Sequence, residues 1–110
     1  LSGRADDVIV RGGENISPGE IEDLLHQHEA IADTAAVGIP SEEWGEVVAL
    51  TVVVATGQSI TEDEIRSHIR EHLRSSRVPE AIHFTSELPY NETGKLLRRV
   101  VREWFEQEQG

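Results

Sequence analysis

Apolar and polar positions along the chain follow two rhythms, one of period two and one of period near 3.6. Val8-Ile9-Val10 is a short β-branched run, and Arg11-Gly12-Gly13-Glu14-Asn15 after it reads as a turn. Two adjacent glycines permit positive φ or a close approach of backbone. Ser17-Pro18-Gly19-Glu20 then opens a helix, with Ser17 as cap, Pro18 at the first helical position and Glu20 closing a capping box. Ile21, Leu24, Leu25 and His28 keep helical spacing, which predicts a helix to about residue 28. Residues 34–39 read as a strand ending at Pro40, and residues 42–45 as a polar turn. Residues 47–55 are β-branched and nearly continuously apolar, the pattern of a central strand antiparallel to its predecessor. Thr61-Glu62-Asp63-Glu64 is a second capping box, and Ile65, Ile69 and Leu73 mark one face of a helix ending near Ser75. A further strand covers residues 81–85. Beyond a loop through Leu88-Pro89-Tyr90-Asn91, the positions Leu96, Leu97, Val100, Val101, Trp104 and Phe105 form a helical stripe that frays from Gln107.

This order predicts an α+β fold: a small three-stranded mixed sheet plus a short N-terminal hairpin, packed with three helices. With 110 residues, 37% of them apolar, the chain has the size of one domain and leaves no room for a large enclosed active site. The formal net charge of −11 repels phosphate backbones, so no nucleic-acid partner is expected. No apolar run is long enough to span a membrane, and no segment has the pattern of a signal peptide. The absence of cysteine excludes disulfides and thiolate metal sites and is compatible with the cytoplasm. Among ten cations, nine are arginine and one is lysine, Lys95. A lysine is a compact point charge on a flexible stem, unlike the planar arginine fork.

Four segments could carry chemistry, and each has a plainer reading. Gly3-Arg4-Ala5-Asp6-Asp7 with Gly12-Gly13-Glu14-Asn15 is either a polar entry loop and a β-turn, or a hinge and a glycine loop that lets a ligand approach. Residues 91–99 are either a solvated loop and helix start, or a glycine loop presenting Lys95 to developing negative charge, with Arg98, Arg99 and Arg102 adding positive potential. His26 and His28, and His68 and His72, have spacings that occur in metal sites, but no third ligand is evident, so surface or boundary histidines and no metal are expected. Glu20, Glu22, Asp23, Glu29 and the run Glu62-Asp63-Glu64 read as solvated or capping acids.

Taken together, residues 3–22 (Gly-Arg-Ala-Asp-Asp-Val-Ile-Val-Arg-Gly-Gly-Glu-Asn-Ile-Ser-Pro-Gly-Glu-Ile-Glu) resemble the hinge motif of the adenylate-forming enzymes. That family includes acyl- and aryl-CoA synthetases. Residues 91–99 resemble its carboxy-terminal lysine motif, and the spacing between the two motifs, through Val37-Gly38-Ile39-Pro40 and Leu88-Pro89, is similar as well. The resemblance covers about residues 3–100. It implies the mobile C-terminal domain of an ATP-dependent carboxylic acid–CoA ligase, with residues 1–7 as hinge region and 8–106 as body, apart from a large N-terminal domain that binds ATP and acid.

Several roles follow from the resemblance. In the family, a carboxylate attacks the α-phosphate of ATP, and a thiol then displaces AMP. The small domain rotates between the two steps. Lys95 is implied as the catalytic residue of adenylation, Asp6 as the hinge, and Arg4 as a contact near the nucleotide ribose. Gly12 and Gly13 would line the pantetheine passage, with Glu14 beside them and Trp44 near the coenzyme's nucleotide. ATP with Mg2+ and coenzyme A are implied as substrates of the full-length enzyme, Mg2+ not being bound by this domain. The implied partners are the chain's own N-terminal domain, ATP, the carboxylic acid and coenzyme A. The 110-residue piece alone is expected to be inactive, and the Gly-Gly-Glu-Asn-Ile-Ser-Pro form points to fatty or aromatic acids. In one departure, only Arg77 is basic in Arg77-Val78-Pro79-Glu80, where some ligases hold coenzyme phosphates. The alternatives are a non-catalytic free-standing interaction module and an adenylation domain that serves a carrier protein.

Overall fold

The computed structural model describes residues 7–109, with side chains through residue 107. The elements run β1 (Ile9–Arg11), β2 (Glu14–Ile16), α1 (Pro18–His26), β3 (Ile31–Ser41), β4 (Gly45–Val54), α2 (Glu62–His72), a 3₁₀ turn over Ser75–Arg77, β5 (Ala81–Phe84) and α3 (Arg98–Gln109). β4 is the organising strand. On one edge it pairs antiparallel with β3, in register from Asp33↔Val53 to Ser41↔Gly45. On its other edge β5 pairs parallel, Ala49↔Ala81 to Val52↔Phe84, and β1 joins through Arg11↔Gly45. The mixed three-stranded sheet and the N-terminal hairpin are thus both present, and that single pairing makes one five-stranded sheet of them. A second tie reinforces it: the Val10 N–H donates to Glu46 Oε1 at 2.9 Å. Gly38 makes room for that carboxylate, since a Cβ there would lie 2.9 Å from it.

The nearly continuous apolar run of β4 reflects burial on both faces. Ala36, Val48, Leu50 and Val52 point to one side, against Ile21 and Leu25 of α1 and Ile65 and Ile69 of α2. Ala35, Val37, Ile39, Val47 and Ala49 point to the other, against Val101 and Phe105 of α3 and Leu88. Alternate residues of one strand pair therefore feed two separate cores. The result is a three-layer arrangement, with α1 and α2 on one face and α3 on the other.

Local expectations hold where no distant partner competes. Thr61 accepts the Glu64 N–H at 3.1 Å, and the Glu64 carboxylate accepts the Thr61 N–H at 2.8 Å, which completes the predicted box. The box expected at Ser17 does not form: its side chain makes no cap hydrogen bond, and Glu20 instead accepts from Arg77 Nε at 2.8 Å. β3 continues through Pro40 to Ser41, because it is an outer strand and a missing N–H can face away from the ladder. α1 stops at His26 and α2 at His72, before the predicted ends. α3 begins at Arg98 rather than Leu96, because Leu96 pairs with Tyr90 across the preceding loop and the Leu97 N–H donates to the Pro89 carbonyl at 2.8 Å.

The two helix starts should therefore respond differently to substitution. Thr61→Ala is expected to destabilise the domain by about 1 kcal/mol in urea denaturation, and Ser17→Ala by no more than a few tenths. Equal losses would contradict the hydrogen-bond assignment at these caps.

Candidate functional site

Lys95 stands near the end of a tight loop between Leu88 and α3. The Tyr90–Leu96 pairing closes its stem, and Gly94, at φ +84°, turns the chain. The Asn91 N–H donates to the Lys95 carbonyl, and the Gly94 N–H to the Asn91 carbonyl, both at 2.9 Å. Asn91 to Lys95 are all exposed. Among the described residues, the Lys95 ammonium enters none of the ion pairs. It borders an open depression of about 240 Å³ whose other lining includes Asp7, Asn91, Leu96, Arg99 and Arg102.

The base of this loop is fixed by charge. Arg98, the first residue of α3, grips Glu22 of α1 with both terminal nitrogens, at 2.6 and 3.1 Å, and donates to the Ala36 carbonyl of β3 at 3.1 Å. Glu22 is buried and also accepts the Ala36 N–H at 2.9 Å. Burial alone would lower the Arg98 guanidinium, but Glu22, with Asp7 behind it, outweighs burial and raises it above its ordinary value. A second tie flanks the first. The Tyr90 hydroxyl donates to Asp33 Oδ2, and Asp33 Oδ1 meets His26 Nε2 at 3.0 Å. Burial and the Asp33 carboxylate push the Tyr90 phenol up to about 12. Burial would raise the Asp33 carboxyl, but hydrogen bonds from Tyr90, His26 and the Thr34 N–H prevail and hold it below its ordinary value.

The glycine turn lies elsewhere. Gly12 and Gly13 have φ of +56° and +84°, the positive values a two-residue hairpin loop requires. The Gly12 N–H donates to the Trp44 carbonyl at 2.7 Å, and a Cβ on Gly12 would lie 2.8 Å from the Trp44 ring. Nothing lies within 4 Å of the Cβ position at Gly13. The Arg11 guanidinium stacks 4.0 Å from the Trp44 ring centroid, and Trp44 remains 37% exposed. Glu14 is committed to Arg77, whose hydrogen bond, with help from Ser76 and Arg74, holds the carboxyl below its ordinary value against some burial. Arg77 is itself buried between Glu14 and Glu20, so it pins the turn and α1 together and is not free to meet a phosphate.

Four of the predicted site residues thus fall together: Gly12, Gly13, Glu14 and Trp44, beside the β3–β4 turn. Lys95 lies apart from them. Its loop is tied to Asp33, whereas the glycine turn meets the chain just past Ser41; eight strand residues separate these points, roughly 26 Å. Arg4 and Asp6 lie outside the described residues. His28, His68 and His72 form a contact cluster with ring centroids 5.1 and 4.6 Å apart, and His68 is lowered by burial, then by its two neighbours. No group of three or more potential metal ligands is found among the described residues. The sequence reading missed Glu22 and Arg98, assigning the first to a solvated acidic face and the second to general positive potential. A signal existed: Glu22 shares the buried face of Pro18, Ile21 and Leu25, a phase where a carboxylate needs a partner.

The depressed carboxyls set an acid limit. A carboxyl lowered in the folded state stabilises it fully above the ordinary carboxylate value and ceases to as pH falls through the lower folded value. Stability should therefore fall as pH drops below the ordinary carboxylate range, roughly 4, and Tyr90→Phe should flatten that fall while lowering stability at pH 7 by about 1 kcal/mol, given the partial exposure of the pair. Melting curves at a series of pH values check this; an identical slope in the variant would contradict the role of Tyr90.

A sequence profile described as the AMP-binding enzyme C-terminal domain matches residues 20–95. An oxalate–CoA ligase of Saccharomyces cerevisiae is 37% identical over 105 residues, 96% of this chain and 19% of the relative. A 2-succinylbenzoate–CoA ligase of Bacillus cereus is 42% identical over 104 residues, 94% of this chain and 21% of the relative. The crystal structure of an acyl-CoA synthetase of Brucella canis superposes with a TM-score of 0.87 at 34% identity, over 98% of this chain and 20% of that one. The chain spans about one fifth of the length of these proteins. With the profile matched across most of its elements, up to Lys95 itself, this chain belongs to the family of AMP-binding enzyme C-terminal domains.

Proposed function

We propose that this domain is the mobile lobe of an AMP-forming carboxylic acid–CoA ligase, acting with a larger N-terminal domain that binds ATP and the acid. The observation that carries the reading is the contrast between Lys95 and its neighbour Arg98. Arg98 is spent on Glu22, whereas Lys95 is held out on an ordered loop with no carboxylate partner among the described residues. An exposed ammonium in a chain of net charge −11 suits a reaction in which two anions, a carboxylate and an α-phosphate, must meet. Lys95 would bridge them and stabilise the charge that builds as pyrophosphate leaves.

The second half-reaction would use the other end of the sheet. The Gly12–Gly13 turn, flanked by Glu14 and Trp44, would present the open backbone of Gly13 and a partly exposed indole to a pantetheine arm, with Gly12 holding the turn against Trp44. The distance between the two ends supports a swivel: one orientation delivers Lys95, the other the glycine turn. We assign that swivel to Asp6, and a contact near the nucleotide ribose to Arg4. Mg2+ and the phosphates of ATP belong in this reading to the larger domain. The acid is fatty or aromatic, in keeping with the Gly-Gly-Glu-Asn-Ile-Ser-Pro segment, and the enzyme is cytoplasmic; no helix among the described residues is long and apolar enough to cross a membrane.

Two substitutions in the full-length enzyme separate the half-reactions. Lys95→Ala should lower ATP–pyrophosphate exchange by about 100- to 1,000-fold while thiol transfer from supplied acyl-adenylate stays within about threefold. Gly12→Ala should do the reverse, because its Cβ meets Trp44 at a positive φ and displaces the turn. Equal loss of both steps with Lys95→Ala would contradict the role of the lysine.

A further inference from the structure

The lysine loop rests on one amide oxygen. Asn91 Oδ1 accepts three hydrogen bonds: from the Thr93 N–H at 3.0 Å, the Thr93 hydroxyl at 2.8 Å and the Lys95 N–H at 2.9 Å. The Asn91 backbone N–H donates to the Lys95 carbonyl at 2.9 Å. Both polar backbone groups of Lys95 are therefore held by one residue, four positions earlier. Little else holds this tip among the described residues. A Cβ at Gly94 would have nothing within 4 Å, and residues 91–95 are all exposed, so no apolar packing fixes their path. The stem below is secured separately, through the Tyr90–Leu96 pairing and the Leu97 N–H to the Pro89 carbonyl.

A lysine side chain has four rotatable bonds, and its reach is useful only when its Cα is aimed. We propose that Asn91 is the positioning residue of adenylation: its side-chain oxygen sets the backbone of Lys95 and thereby the direction in which the ammonium extends. This deepens the proposed role of Lys95 and rests on it. The acceptor character of Oδ1 is what matters. An aspartate at this position keeps an oxygen for each of the three donors, whereas an alanine leaves the Lys95 N–H to water and the tip free to move. A displacement near 1 Å of a group that must touch both reactants can reduce a rate about 100-fold.

The test compares Asn91→Ala, Asn91→Asp and Lys95→Ala in the full-length enzyme, by ATP–pyrophosphate exchange and by thiol transfer from supplied acyl-adenylate. Asn91→Ala should lower kcat of exchange by about 10- to 100-fold, leave KM for ATP within about threefold, and leave thiol transfer unchanged. Asn91→Asp should recover at least about tenfold of the lost exchange rate. An exchange rate for Asn91→Ala within about twofold of wild type, alongside a collapsed Lys95→Ala, overturns the inference and leaves the lysine's role intact. Loss of both half-reactions in Asn91→Ala, or no recovery with aspartate, also overturns it. Full exchange activity in Lys95→Ala overturns the proposed role of the lysine, and this inference with it.

Discussion

The part-buried pair between Glu22 and Arg98 is the interaction on which the rest of this structure depends. It joins α1 on one face of the sheet to the start of α3 on the other, and both partners bond the backbone of Ala36 in the strand between them. Apolar packing alone would leave the three layers free to slide by small amounts. Directional hydrogen bonds from a planar guanidinium to a carboxylate fix orientation as well as distance. Because Arg98 lies three residues past Lys95, the same contact fixes the base of the loop that bears the lysine. The pair also commits the Arg98 guanidinium inward, whereas Lys95, three residues earlier, enters none of the ion pairs among the described residues.

The sheet holds the lysine loop and the glycine turn apart, at two ends of one small domain. β4 is buried on both faces and paired along both edges, so it acts as a rigid bar. At one end, Tyr90 and Asp33 tether the lysine loop. At the other, Arg11, Gly12 and Trp44 build the glycine turn against the β3–β4 corner. A rigid body with separate sites at its two ends changes what it presents by turning as a whole, with little internal rearrangement.

The residues that were legible in the sequence are those whose role is local or whose identity is unusual. β4 announced itself by an unbroken apolar run, and the Thr61 box by two residues three apart. Lys95 stood out as the single lysine of the chain. What escaped notice depends on partners distant in sequence. Ser17 and Glu20 have the spacing of a capping box, but Arg77, 57 residues after Glu20, offers the carboxylate a charged donor that outcompetes a backbone N–H. Glu22 hides among Glu20 and Asp23, and its partner lies 76 residues away. The sequence predicted the loop at Asn91 but not its internal hydrogen bonds, since a three-fold acceptor is a property of geometry and not of composition.

The central claim is that the domain turns as one body between two reactions, and distance measurements test it most directly. The domain has no cysteine of its own, so Glu92→Cys beside Lys95 and Glu43→Cys beside Trp44 each give it a single spin-label position. Distances from each to a label near the ATP site of the larger domain should change in opposite senses. With ATP and acid, the label at residue 92 should lie near and that at 43 far; with an adenylate analogue and coenzyme A the order should reverse. Distances that stay the same in both states would contradict the account.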